Sequence, residues 1–175
     1  MANIVPEKGL DFKVYLNGSD MLGVAEGNFP TIEFMTSEVK GAGIAGAMDS
    51  VGVGHINSMT VSLTWRNIQK SITKLLQPGA HNLELHAAHQ DYNASLGTFK
   101  ITHIYVFMKA ITKSANLGNL VIGDVTDTQT EHEVYYMRMQ IDGEDVLEID
   151  KYNYVYKVHG VDYMTEVRRA LGMAV

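Results

Sequence analysis

The chain has 175 residues, 46% of them hydrophobic, a formal net charge of −6 and no cysteine. That length fits one domain, residues 1–175, able to bury a core without staples, and the missing thiols exclude a disulfide scaffold, a cysteine nucleophile and a thiolate metal site. Only 19% of residues are charged, against a usual figure of about 25%, and with 16 glycines and 10 methionines this points to a surface that largely faces other protein.

The dominant period along the chain is two, the period of β-structure. Phe12–Leu16 and Met21–Ala25 flank Asn17-Gly18-Ser19-Asp20, a hairpin turn. Thr31–Lys40 carries Glu33, Glu38 and Lys40 and so is not a buried parallel strand. Gly41–Asn57 reads as a long glycine-rich loop. Met59–Trp65 alternates apolar residues with hydroxyls. In Asn67–Gln77, Ile68, Ile72, Leu75 and Leu76 fall on a helical stripe, with Asn67 as N-cap and Pro78-Gly79 as stop. Leu83–Ala87 and Phe99–Thr112 add strands, and Ser114–Thr130 is a second long loop. Met137–Ile141 and Val146–Ile149 flank the turn Asp142-Gly143-Glu144-Asp145, and Tyr152, Tyr154, Tyr156 and Val158 line the next strand. Asp162–Leu171 is a C-terminal helix whose stripe is Val161, Met164, Val167 and Leu171, with Arg168 and Arg169 in its last turn and Gly172 ending it. The expectation is a mainly β fold, a barrel or sandwich of about eight antiparallel strands with one internal helix and a short C-terminal helix.

Motifs for chemistry fail their context tests. Gly41-Ala42-Gly43-Ile44-Ala45-Gly46 matches GxGxxG but neither closes a buried strand nor opens a helix. His81, His86 and His89 invite a metal reading, yet on a strand Glu84 and His86 share a face that His89 does not. His132-Glu133 begins like HExxH, with Tyr136 at the second histidine position. There is no GxSxG elbow. Carboxylate pairs without a pocket identify nothing, and the tyrosine stripe lacks a cationic groove to hold a phosphate backbone. Lys and Arg form no basic stripe. No run approaches the roughly 18 apolar residues of a membrane span, and MANIVPEKGL shows no secretory pattern. No catalytic residue, metal or cofactor is expected.

The ordered features together resemble the major tail tube family of contractile-tailed phages and R-type bacteriocins, related in fold to Hcp-type secretion tube proteins. The resemblance is carried by the first hairpin with Val14-Tyr15-Leu16-Asn17-Gly18, by the Gly41-Ala42-Gly43 loop with Gly46, and most firmly by Asp142–Asp150, Val158-His159-Gly160-Val161-Asp162 and Arg168-Arg169. Residues 78–131 depart most from that pattern. The resemblance implies a non-enzymatic subunit that forms rings of six, their sheets joined into one inner barrel, stacked as a hollow tube inside a sheath. It implies as partners other copies of the chain, a sheath protein, a baseplate or tube initiator and a tape-measure protein, with DNA only in passive transit. It places the protein in a virion tail or tail-like particle, made in the bacterial cytoplasm.

Within that frame three groups of residues are singled out. Gly41, Gly43, Ile44, Gly46, Met48, Val51, Val53 and Ile56 are expected to form a stacking loop between rings, disordered in the free subunit. Val161, Met164, Val167 and Leu171 are expected to pack the C-terminal helix on the sheet. Glu33, Glu38, Asp142, Glu144 and Asp145 are candidates for an acidic or neutral pore wall, because six copies at −6 give about −36 per ring. The alternatives are a secreted Hcp-type tube protein and a β-rich enzyme or ligand-binding module built on the His81, His86 and His89 region.

Overall fold

The computed structural model describes residues 3–173. Its elements, in chain order, are β1 (Ile4–Leu16), β2 (Asp20–Leu22), β3 (Val24–Asn28), β4 (Phe34–Val39), β5 (Met48–Ile56), β6 (Met59–Trp65), α1 (Lys70–Leu75), β7 (Ala80–Asn93), β8 (Thr98–Asn116), β9 (Thr128–Ile141), β10 (Glu144–Asp150), β11 (Val155–Val158), β12 (Val161–Asp162) and α2 (Thr165–Ala170). The expected mainly β architecture with two short helices is borne out. Every ladder is antiparallel.

One sheet runs β12-β11-β10-β9-β8-β7-β1-β2. β9 does double duty along its length. Its first half pairs with β6, Thr128 opposite Trp65 and Val134 opposite Met59, while its second half pairs with β10. The switch falls at a bulge between Lys109 and Ala110 of β8, where β9 passes from Tyr136 to Val134. A bulge strengthens the local twist and bends the strand. The sheet therefore folds over itself into a second layer, β6 with β3 on its edge. Gly23 carries the chain from β2, paired with β1, to β3, paired with β6. No ladder joins β3 to β1 among the described residues, so the arrangement is sandwich-like and open at that seam rather than a closed barrel.

The core lies between the layers. The inward faces of Val14, Leu16, Val61, Leu63, Trp65, Leu83, Leu85, Val106 and Met108 meet there, and Ile72 and Leu75 of α1 plug one end. Strand directions define the two ends. The Asn17–Ser19 turn, α1 and the β8–β9 loop share the upper end. The N-terminal part of β1, the β7–β8 turn at 94–97 and the β9–β10 turn share the lower one, and the base of the β4–β5 hairpin joins β6 level with the middle of β9.

The structure corrects several boundaries. Met48–Ile56 is a strand, paired with β4 in its own two-stranded sheet, so the loop expected over Gly41–Asn57 is confined to 40–47. The second loop shrinks to 117–127. α1 starts at Lys70, with Gln69 at its N-cap and no capping side chain; Asn67 lies outside it. Tyr152 and Tyr154 belong to a turn, Tyr154 at φ +53, so the tyrosine face does not extend before Val155.

Candidate assembly surfaces

The β4–β5 hairpin inverts the usual pattern. In a strand against a core, apolar residues point inward. In β5 the residues facing the body are Ser50, Gly52, Gly54 and Ile56, while Val51 and Val53 point outward at 55% and 59% exposure, joined by Met48 and Met35. Ile44 is exposed at the tip, between Gly41, Gly43 and Gly46. Ile56 differs from the rest of the predicted stacking set: it packs against the core and helps to root the hairpin.

The root is shared with the C-terminal segment. Met164 is 2% exposed and lies against Gly54, whose φ is +66; a Cβ there would overlap the Met164 thioether. Phe34 of β4 meets Tyr156 of β11 edge-on at 5.6 Å. The Asn57 amide donates to the Glu33 carbonyl at 2.8 Å, and the Lys151 ammonium donates to the Asn57 carbonyl at 2.9 Å. Arg168 fastens the segment itself, donating to the Tyr154 carbonyl and to Asp162 Oδ2, both at 2.6 Å.

This corrects the reading of the C-terminal helix. α2 spans only Thr165–Ala170, Val161 lies in β12 and is 55% exposed, and Leu171 is 57% exposed. Of the four-residue stripe only Met164 is buried and Val167 half-buried. Met164 packs against Gly54 of the hairpin. The helix is too short to carry a full stripe, and Arg168 orients it instead.

The outer face of the main sheet is polar and continuous. Register places Tyr15, Glu84, Phe107, Arg138, Glu148 and Lys157 in one row across six strands, and Lys13, His86, Tyr105, Gln140 and Asp145 in the next. The rows hold three cations (Lys13, Arg138, Lys157) and three anions (Glu84, Glu148, Asp145), so they balance. Arg138 grips Asp145 through two 2.7 Å hydrogen bonds, and Lys157 reaches Glu148 at 3.2 Å. The Arg138 and Gln140 hydrogen bonds hold the Asp145 carboxyl down to about 2. Asp142 pairs with Lys100 at 2.6 Å and accepts the His103 amide at 2.9 Å, which lowers its carboxyl as well.

The five predicted wall carboxylates thus occupy two places. Asp142, Glu144 and Asp145 are at the β9–β10 turn, two of them neutralised by partners. Glu33 precedes β4 and Glu38 lies in it, paired with Lys40 at 2.9 Å. Sequence reasoning missed the two charge-balanced rows. Cross-strand register, which a single strand's pattern does not contain, is what assembles them.

The histidines separate. His81 is buried and bonds the Gln77 carbonyl; His89 lies beside Gly9. His86 Nδ1 meets His103 Nε2 at 3.1 Å, and burial with that neighbour lowers the His86 imidazole. Among the described residues no three of His, Asp and Glu converge as metal ligands. His132 is fully buried in a network that fixes its tautomer. Trp65 Nε1 donates to Thr130 Oγ1 at 3.1 Å, and the Thr112 hydroxyl donates to the Leu75 carbonyl at 2.6 Å. With that hydroxyl's proton committed, His132 Nδ1–H donates to Thr112 Oγ1, and the Thr130 hydroxyl donates to His132 Nε2, both at 3.0 Å. Burial pushes this imidazole down to about 4.

Residues 6–172 match the family model of the phage tail tube protein FII. The chain belongs to this family. The tail tube resemblance read from the sequence is therefore borne out, and the protein is a structural tail tube subunit. It is 26% identical over 174 residues to the tail tube protein of Escherichia phage P2, a match covering 97% of this chain and 99% of that one. In fold this tail tube protein is similar to a chain from the sheath/tube terminator of PVC, an extracellular contractile injection system. The TM-score is 0.53 at 14% identity, over 74% of this chain and 92% of that one. It is likewise similar to a chain of the anti-feeding prophage tube-terminating cap, with TM-score 0.52 at 14% identity over 74% and 87% of the two chains.

Proposed function

We propose that this tail tube protein builds the inner tube of a contractile tail as rings of six stacked end to end. One observation carries the reading: an ordered hairpin that turns its valines and methionines to water and its glycines to the body. Exposed apolar surface of this kind marks a contact with another protein. The hairpin forms its own two-stranded sheet apart from the main one, free to reach a neighbouring ring, so Gly41, Gly43, Ile44, Gly46, Met48, Val51 and Val53 serve stacking. Within a ring, the edge of β1 over Ile4–Lys13 is available to a neighbour, since among the described residues β2 pairs only with Val14–Leu16. An unpaired edge of this length invites a strand, and closing a ring covers all six.

In this arrangement the balanced outer face of β1, β7, β8, β9, β10 and β11 lines the pore, with Asp142, Glu144 and Asp145 at its rim. A wall without net positive charge offers DNA phosphates no foothold, which suits passive transit. The polar face of β3 and β6, with Ser62, Thr64, Gln129 and Glu131 in an open cleft, turns outward to a sheath. A baseplate initiator and a tape-measure protein set where the tube starts and stops. The protein is made in the bacterial cytoplasm and acts without catalysis. Sedimentation and negative-stain microscopy of the purified chain test the reading. Rings or hollow tubes at high concentration are expected; a monomer from micromolar to millimolar protein, with no tubes on an added baseplate, overturns it.

A further inference from the structure

The main sheet leaves apolar side chains uncovered towards both of its edges, and on the same side. All its ladders are antiparallel, so β12, six strands away, runs in the same direction as β1. Directly opposed residues of paired strands share a face of the sheet. Val161 lies in one row with Val158, Leu147, Met139, Val106 and Leu85, and Val106 and Leu85 belong to the core. Val161 therefore points to the core side of the sheet, yet it is more than half exposed. Tyr163 follows on that side. Its amide donates to the Tyr156 carbonyl at 2.9 Å, and its ring lies 6.2 Å from the Tyr156 ring, which packs against the core. It too is more than half exposed. Leaving such groups in water is unfavourable by roughly 25 cal/mol for each apolar Å² uncovered.

At the opposite edge, the seam between β1 and β3 forms a cleft of about 320 Å³ level with the middle of β1. Leu10, Phe12, Phe29 and Leu85 make it apolar, and Asp11 and His89 add polar groups. Leu85 is a core residue, so the cleft opens on the side of the sheet to which Val161 and Tyr163 point. A strand added beyond β1 continues the sheet and sets its core-side residues at this cleft. The β12 edge is the other edge of the same sheet, and a contact between unlike surfaces of identical copies is the kind that closes a ring. The chemistry matches as well. A tyrosine presents an apolar ring with a polar tip, which suits aromatic and aliphatic walls beside a carboxylate and an imidazole. Val161 is level with Leu85, at the top of the cleft, and His89 lies four residues further down β7. The two edges therefore meet with a stagger of a few residues, and closing a sheet into a barrel requires strand tilt and stagger.

We propose that Val161 and Tyr163 of one subunit fill the β1–β3 cleft of its neighbour in the same ring, with β12 extending the neighbour's sheet past β1. The occupant is a second copy of this chain, and the proposal rests on the tube reading. The absence of cysteine makes it directly testable. Assembled Tyr163→Cys, Leu10→Cys double-variant subunits, treated with a short bis-maleimide, should give a ladder of linked multimers that stops at the number of subunits in one ring. Each single variant should give nothing beyond a dimer. Tyr163→Asp should melt close to wild type, since the side chain is exposed, but raise the concentration needed for ring assembly by about ten-fold or more. Tyr163→Phe, which keeps the ring, should assemble nearly as wild type. Assembled double-variant subunits that give no ladder, a ladder that continues past one ring, or Tyr163→Asp assembling as wild type overturns the proposal and leaves the tube reading standing. Failure of the wild type to form rings or tubes under any condition overturns both.

Discussion

His132 sits in a line of hydrogen bonds that leaves no place for a second ring proton. Trp65 donates to Thr130, Thr130 to His132, His132 to Thr112 and Thr112 to the Leu75 carbonyl, tying β6, β9, β8 and α1 together. Protonation at Nε2 would leave the Thr130 hydroxyl without its acceptor. The ring titrates near 6.5 when unfolded and at about 4 when folded. The unfolded chain therefore binds the proton first, and this residue's contribution is full above pH 6.5 and lost as pH falls through 4. At 1.36 kcal/mol per unit the loss is about 3 kcal/mol. Denaturant unfolding from pH 7 to 4 should show that decline, and His132→Gln should flatten it whatever its effect at pH 7; an equal slope in both proteins excludes His132 as the source. Gly54 offers a second residue-scale test. Gly54→Ala meets both the left-handed backbone, costing about 1–2 kcal/mol, and the Met164 thioether. Gly52→Ala meets only ordinary contacts with His55 and Met35. Gly54→Ala should melt clearly lower than Gly52→Ala, and Met164→Ala should cost about 2–5 kcal/mol. Equal melting of the two glycine variants would remove Met164 as the hairpin's anchor.

The hairpin and the C-terminal segment form one mechanical element, so a test of the proposed stacking loop must spare their shared root. Removing Gly43–Gly54 would take away the seat of Met164 as well as the contact surface. Replacing residues 41–47 with a two-residue turn keeps the β4–β5 ladder, whose last pair is Val39 with Met48. That variant should melt close to wild type yet fail to lengthen tubes; normal tubes would show that the tip does not stack rings. Much of the element plan was legible in the sequence. Met59–Trp65 was readable because its alternation obeys the usual rule, with all four apolar residues buried. β5 was not, because its apolar residues face outward and its glycines inward, so the sequence looks like a flexible loop. The C-terminal stripe misled for a different reason. Helical spacing describes a helix that exists, and here the chain spends Val161 in a two-residue strand while Arg168 fixes the rest by bonds to Tyr154 and Asp162. Charged residues such as these carry no periodic signal.

At the scale of the whole molecule the formal charge of −6 is unevenly placed: the two rows on the outer face of the main sheet cancel, so the excess lies elsewhere. In the proposed ring of six the total of −36 would then not be concentrated on the proposed pore wall. DNA inside would meet fixed, paired charges rather than a strong repulsive or attractive field, and pairs such as Arg138–Asp145 are already mutually satisfied. The cysteine-free chain allows the orientation to be measured. Glu84→Cys places a thiol on the proposed wall, and Gln129→Cys places one on the opposite, sheath-side face, where Gln129 is exposed in β9. In assembled tubes a small maleimide should reach both, because the proposed pore would admit small molecules. A maleimide on a polymer wider than the pore should label Gln129→Cys at its monomer rate and Glu84→Cys many-fold more slowly, with the difference vanishing when tubes are dissociated. Equal polymer labelling of both in intact tubes would turn this face outward, and with it the claim that DNA passes along a charge-balanced wall.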